Sequence, residues 1–175
     1  MKAKKIKRAL YGILNNEDEV RRFFKNTPQS ECYVIEEFVT GNICTYDAII
    51  DSNSNPLFES MCVCPPSIAD IVNNKDHLAY YTANMLPDDL RERGRATVKA
   101  FNVRSRFFHL EFFRLAEAKK NLGEVGDIVA LEVNMRPAGG WTPDMYNYAN
   151  SVDVYSIWAD MVMFDKTYVD LNQQK

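Results

Sequence analysis

Phe107-Phe108-His109-Leu110-Glu111-Phe112-Phe113 and Ala130-Leu131-Glu132-Val133-Asn134-Met135-Arg136-Pro137 are the two stretches on which the reading of this chain turns. Successive side chains of an extended strand point to opposite faces, so His109 and Glu111 share one face and Glu132 and Asn134 share one. The turn-prone residues Asn121-Leu122-Gly123 and Gly126-Asp127 lie between the two stretches, which predicts a pair of strands near 105–115 and 128–135. A hairpin centred on residues 121 and 122 sets Glu111 opposite Glu132 and His109 opposite Asn134. Like charges directly opposed on a sheet repel unless something neutralises them. A hard divalent cation would do so, and carboxylate and amide oxygens are ligands that magnesium takes beside waters and phosphates. The competing reading makes both glutamates the wet face of a half-covered sheet. Phe107 and Phe113 on that same face favour a partly closed cleft.

Just downstream stand Arg136, the pair Gly139-Gly140, and Thr142-Pro143-Asp144, which read as cap, first and second positions of a helix. A strand end, a glycine pair and a helix start together make a ready anion site, because free N–H groups and the helix dipole point at the ligand. Arg136 can grip phosphate or carboxylate through two parallel bonds, or serve as one half of a surface salt bridge. Ser151 is expected to cap a last helix with an inward stripe through Tyr155, Trp158 and Val162.

Upstream, Asn16 and Glu19 have capping-box spacing, and Val20, Phe23 and Phe24 would pack inward from the helix they open. Residues 32–38 and 43–51 are rich in Tyr, Val, Ile and Thr around the turn Thr40-Gly41-Asn42, which predicts a hairpin. Ser52-Asn53-Ser54-Asn55-Pro56 turns the chain into a third strand near 57–63, stopped by Pro65 and Pro66. Residues 67–86 carry no strong period. Pro87, Asp88 and Asp89 open a helix with Leu90, Thr97, Val98 and Phe101 inward. Strands in one run, with helices interspersed and no internal repeat, predict an α+β fold: a largely antiparallel sheet with helices packed on one side.

At 175 residues, 46% hydrophobic and with net charge -3, the composition is that of a soluble globular chain without a basic field for nucleic acid. Lys2, Lys4, Lys5, Lys7 and Arg8 crowd the start without interleaved aromatics and read as solvated charge. No apolar run approaches the ~20 residues of a membrane helix, and no signal peptide follows the basic run, so a cytoplasmic setting is expected. Cys32, Cys44, Cys62 and Cys64 fall in predicted strands, where reduced and buried thiols are expected. A single C-x-C with distant His77 and His109 lacks the paired spacings of structural zinc.

Tyr33-Val34-Ile35-Glu36-Glu37-Phe38-Val39-Thr40-Gly41, Thr45-Tyr46-Asp47, His109-x-Glu111 and Glu132-x-Asn134-x-Arg136-Pro137 with Gly139-Gly140 together resemble, in order and spacing, the C-terminal motifs of ATP-grasp ligases. That family includes D-alanine-D-alanine ligase, biotin carboxylase and carbamoyl phosphate synthetase. The resemblance implies that residues 31–175 are the C-terminal lobe of an ATP-grasp pair and that residues 1–30, with one helix, trail from the N-terminal lobe. It implies ATP bound at Glu36, Glu37, Phe38 and Val39, the Glu37 carbonyl and Val39 N–H meeting the base edge. Magnesium, or manganese in its place, would be held by Glu111, Glu132 and Asn134. His109 would contact phosphate, and Arg136 would act catalytically on a substrate carboxylate or acyl phosphate. Ile43 stands where the family places a ribose-binding acid, leaving Asn42 as the substitute.

The implied reaction joins a small-molecule carboxylate to an amine or thiol through an acyl phosphate, with positioning and electrostatics rather than a covalent nucleophile carrying catalysis. The glycine-rich loop and phosphate-binding lysines of the family have no counterpart here. The chain is therefore expected to be a fragment or split-gene partner completed by an N-terminal lobe in cis or in trans, inactive alone, with a homodimer as an expected species. A non-catalytic nucleotide-binding remnant and a plain interaction domain are the competing readings. Acid–base glycoside hydrolysis by Glu111 and Glu132 is disfavoured because no sugar-binding aromatic cleft accompanies them. Residues 64–86 and Trp141 to Tyr148 flank the predicted site and are the expected specificity region.

Overall fold

Every residue from Ile43 to Ile50 is buried, in a strand, β1, spanning Gly41–Ile50. Continuous burial rather than alternation marks a strand covered on both faces. The computed structural model describes residues 13–27, 35–64, 79–83 and 85–171, and the chain falls into two units, Met1–Val39 and Thr40–Lys175.

In the second unit, β1 lies in a six-stranded sheet with β2 (Pro56–Ser60), β3 (Cys62–Cys64), β4 (Tyr81–Thr82), β5 (Arg106–Leu115) and β6 (Ile128–Asn134). The order is β4-β3-β1-β5-β6 with β2 also beside β1, and the pairings are antiparallel. The α+β class and the antiparallel sheet agree with expectation. The partner of β1 does not. Residues 35–38 of the predicted first strand form no strand, and residues 32–34 lie outside the described residues. Pairing along the whole of β1, from Gly41 with Leu115 to Ile50 with Arg106, falls instead to β5. The third strand, expected over 57–63, is divided at Met61 into β2 and β3.

The β5–β6 register matches its prediction: His109 pairs with Asn134 and Glu111 with Glu132. Beyond Glu111 the register slips, Phe112 pairing with Ala130, so Leu131 is the extra residue of a bulge. Strict alternation would put Ile128 and Val133 on opposite faces. With one residue inserted, both face the same core, and Glu132 and Asn134 keep to the other side.

Two helical layers cover the sheet, one on each face. Helix α2 (Asp88–Ala100) buries Leu90, Gly94 and Val98 against Tyr46, Ala48, Phe108 and Leu110. Gly94 is there because a Cβ would fall 2.2 Å from the Tyr46 ring. The Tyr46 hydroxyl donates to Glu59 at 2.6 Å, and Arg95 meets the same carboxylate at 2.9 and 2.6 Å. Helices α3 (Thr142–Asn150) and α4 (Val154–Phe164) cover the opposite face, where Tyr146, Val154, Ile157 and Met161 pack on Ile49, Phe58 and Phe107. Helices on one side only was therefore wrong: Ile49 and Phe107 alternate with Ala48 and Phe108, so both faces carry apolar side chains that need cover.

Several helix details shift by a residue or two. Trp141, not Thr142, is the N-cap of α3, and Pro143 sits in the first turn as expected. Ser151 ends α3 in the left-handed conformation, while Asp153 caps α4 by accepting from Tyr155 and Ser156 N–H groups at 3.0 and 3.2 Å. The buried stripe is Val154, Ile157 and Met161, one position ahead of the expected one, which leaves Val162 69% exposed. Likewise Phe101, expected inward from α2, is 60% exposed.

The first unit contains α1 (Glu17–Asn26), begun by the Asn16 cap, whose side chain accepts from Glu19 N–H at 3.0 Å. Glu19 returns the bond to the Asn15 N–H at 2.7 Å, one residue earlier than a standard capping box. No α1 residue is buried, contrary to the expected inward face.

Candidate functional site

The face under α3 and α4 is apolar at one end and polar at the other. From Ile49 and Phe107 the strands run to Asp47 and His109, then Thr45 and Glu111, each a cross-strand pair of β1 and β5. On the outer side, β6 adds Asn134 beside His109 and Glu132 beside Glu111. Period-two alternation carries all of these onto one face, so Thr45, Asp47, His109, Glu111, Glu132 and Asn134 form a polar patch across three strands.

Asp47 is fully buried and Thr45 nearly so. A buried carboxylate needs compensation, since an isolated ion loses its hydration with nothing in return. Asp47 receives the Thr45 hydroxyl and the ring nitrogen Nδ1 of His109, the latter at 2.6 Å. The second ring nitrogen, Nε2, meets Glu111 Oε1 at 3.1 Å. Burial pushes the His109 pKa down, but hydrogen bonds to Asp47 and Glu111 outweigh it and raise it to about 9. At neutral pH the imidazole is thus a cation between two carboxylates. Tyr146 approaches from α3, where Cys62 Sγ lies 3.6 Å from its hydroxyl. Burial, with the nearby Asp47 charge, pushes that phenol upward. Burial also raises the Cys62 thiol to about 11, and Cys44, Cys62 and Cys64 are free thiols.

At the β6 end, Glu132 is exposed and Glu111 half-buried. The Asn134 amide nitrogen is buried without a hydrogen-bond partner among the described residues, while its oxygen accepts from Arg136 at 3.4 Å. Arg136 is exposed and also donates to the Pro137 carbonyl at 2.8 Å. Beyond it, Gly140 takes a positive φ of 61° and Thr142 binds the Gly139 carbonyl at 2.8 Å. Tyr80 reaches Thr142 at 3.4 Å, bringing the two expected specificity segments into contact. Residues 65–78 of the first segment lie outside the described residues.

Of the residues singled out from sequence, His109, Glu111, Glu132, Asn134 and Arg136 come together on this patch. Asn42 does not: it is exposed at the start of β1 and opposite Arg114, on the alternation that faces α2. Glu36, Glu37, Phe38 and Val39 belong to the other unit, outside any strand, with Phe38 55% exposed. Thr45 and Asp47 entered the sequence reading only as part of the Thr45-Tyr46-Asp47 motif, and Tyr146 only within the expected specificity region Trp141 to Tyr148. A charged residue inside the apolar run Ile43–Ile50 was the available signal. Pairing β1 with the wrong strand hid that it faces His109.

No group of three or more His, Cys, Asp or Glu suited to a metal ion occurs among the described residues. Glu111, Glu132 and the Asn134 oxygen supply two carboxylates and one neutral oxygen. That suits magnesium, which keeps several waters and uses one or two carboxylates beside phosphates, and it is too few for a cage made of protein alone. No protein-family model and no curated protein matches this sequence.

Proposed function

We propose that the Thr40–Lys175 unit is the metal- and phosphate-holding lobe of an ATP-dependent carboxylate–amine ligase, the amine being replaceable by a thiol. The observation that carries the reading is the cross-strand pairing of Glu111 with Glu132 and His109 with Asn134, on the face where Arg136 emerges. In this reading Glu111, Glu132 and the Asn134 amide oxygen hold a magnesium ion. Such an ion, when bound, neutralises phosphate charge during transfer to a carboxylate. His109 contributes a fixed positive charge beside Glu111. Arg136 has five N–H donors, and those not engaged with Pro137 and Asn134 are available to a carboxylate or phosphoryl oxygen. Charge developing on the transferring group is stabilised by donors already in place, at no cost of reorganisation. Tyr80 and Thr142, bonded to one another, and the exposed Trp141 lie in the two segments expected to select substrate.

A second reading, a non-catalytic nucleotide-binding module, is favoured by the engagement of Arg136 with the Pro137 carbonyl at 2.8 Å and the Asn134 amide oxygen at 3.4 Å, which draws donors away from a transferring group.

Thermal unfolding of the whole chain tests the shared premise, because a ligand that binds only the folded state raises the midpoint by mass action. The midpoint is expected to rise with ADP and magnesium together, less with either alone, and not at all in the Glu132→Ala, Asn134→Ala variant. No rise up to millimolar ADP and magnesium would sink both readings. ATP turnover with candidate carboxylates then separates ligase from binding module.

A further inference from the structure

The polar patch contains one residue that is too deep to touch a ligand and too well connected to be idle. Asp47 is fully buried at the centre of the sheet, between Ser60 of β2 on one side and His109 of β5 on the other. Its surroundings form a directed chain. The Cys62 backbone N–H donates to the Thr45 hydroxyl oxygen at 2.9 Å, which leaves the Thr45 proton for Asp47 Oδ2. Asp47 Oδ1 accepts from His109 Nδ1 at 2.6 Å, and the far ring nitrogen donates to Glu111 Oε1 at 3.1 Å. Each link removes a rotation from the next. A backbone group of β3 orients a hydroxyl, the hydroxyl orients a carboxylate, the carboxylate sets an imidazole, and the imidazole sets the head of Glu111.

Glu111 needs that help. A glutamate on a strand has several rotatable bonds, and fixing such a side chain costs conformational entropy. Directly across from it stands Glu132, whose like charge would drive the two heads apart. Ligands of a cation are ordinarily held by an outer layer of hydrogen bonds that sets their orientation before the ion arrives.

We infer that Asp47 is a positioning residue: through His109 it holds the Glu111 carboxylate in place beside Glu132. The inference rests on the reading of Glu111 and Glu132 as cation ligands, but its first consequence concerns the chain without any cation. If Asp47 merely stabilises the sheet, replacing it changes the unfolding midpoint and leaves the Glu111 side chain as it was.

The test uses the full chain with Asp47→Asn, Thr45→Val and, as control, Ser60→Ala, which alters the strand neighbour of Asp47 without touching the relay. Two readouts are taken. Side-chain scalar couplings by NMR, without metal, report whether Glu111 keeps one rotamer. Loss of the free manganese signal in electron paramagnetic resonance, with ADP present, reports affinity for the ion. In the wild type and in Ser60→Ala, Glu111 is expected in a single rotamer with unchanged manganese affinity. In Asp47→Asn, Glu111 is expected to average among rotamers and manganese to bind at least tenfold more weakly, within the ten- to hundredfold range of outer-layer substitutions. Should Asp47→Asn fail to fold, Thr45→Val carries the test, with the same averaging and a smaller loss of affinity. A folded Asp47→Asn with Glu111 in one rotamer and affinity within twofold of wild type overturns the inference. Absence of manganese binding in the wild type would remove the cation reading alone. The couplings would still decide the positioning role, averaging in Asp47→Asn upholding it and a fixed Glu111 overturning it.

Discussion

One face of the sheet is covered by apolar contact, whereas the other is apolar at one end and holds a buried ionic group at the other. Under α2 the contact is apolar, with Tyr46, Ala48, Phe108 and Leu110 against Leu90 and Val98, and its charges, Glu59, Arg91 and Arg95, stay at the rim. Under α3 and α4 the same two strands bury Asp47 with Thr45, His109 and Tyr146. An apolar face is stabilised by the area it removes from water, whereas a buried ionic relay roughly offsets its own desolvation at best. A polar interior kept beside an apolar one made from the same strands therefore points to use of the polar face, which the apolar face needs no chemistry to explain.

The largest effect is expected of His109→Ala. It leaves Asp47 buried without its ionic partner and is expected to cost about 3–5 kcal/mol in chemical denaturation. Adding Asp47→Leu to His109→Leu should recover most of that loss, by making the polar face resemble the apolar one. Failure of the double variant to regain stability would mean that the relay contributes more than it costs.

The pH dependence follows from the same ion set. The folded pKa of His109, about 9, lies above its ordinary 6.5. Its contribution is therefore fully present below pH 6.5 and is lost as pH rises toward and through 9. Urea midpoints of the wild type should fall between those values, and those of the doubly apolar variant should fall less.

On the other face, Gly94→Ala would gain about 1 kcal/mol in helix propensity. It would also drive a methyl into the Tyr46 ring, and overpacking of this kind costs about 1–3 kcal/mol or more. A net loss of about 2 kcal/mol is expected, and a stabilised variant would show that α2 can slide on its face. The smallest effect is expected at the rim. Burial pushes the Glu59 pKa up, but bonds from Arg95 and Tyr46 outweigh it and hold the carboxyl below its ordinary value. Glu59→Gln should cost about 1–2 kcal/mol, with the wild-type advantage present above the ordinary carboxyl range and fading as pH falls through it.

Much of this arrangement is legible in the linear chain. The alternation puts His109 with Glu111, and Glu132 with Asn134, on one face of each strand, and the turn residues between Leu115 and Ile128 mark the two strands as antiparallel neighbours. Centring that turn gives the register at His109 and Glu111, but the slip at Leu131 has no signal in the chain. The Asn16 cap and the opening of α2 at Asp88 and Asp89 are local in the same sense. Errors gather where a choice depends on distant residues. Ser151 and Asp153 are both capable caps, and Asp153 takes the role because Ser151 is already the left-handed end of α3. Which stripe of α4 turns inward depends on the sheet it meets.

The partner of β1 is the decisive case. Gly41–Ile50 is plainly a strand from its composition, and a tight turn at residues 40–42 makes the preceding segment look like its neighbour. The pairing with β5 joins Asp47 to His109 across 62 positions, and no local preference encodes a contact of that range. Local chemistry was sufficient for β1, β5 and β6, and for the two cross-strand pairs that bring His109, Glu111, Glu132 and Asn134 together. Burial of Asp47, the charge on His109 and the relay to Glu111 arise only when β1 is laid beside β5, because they depend on desolvation and on partners that the chain order keeps far apart.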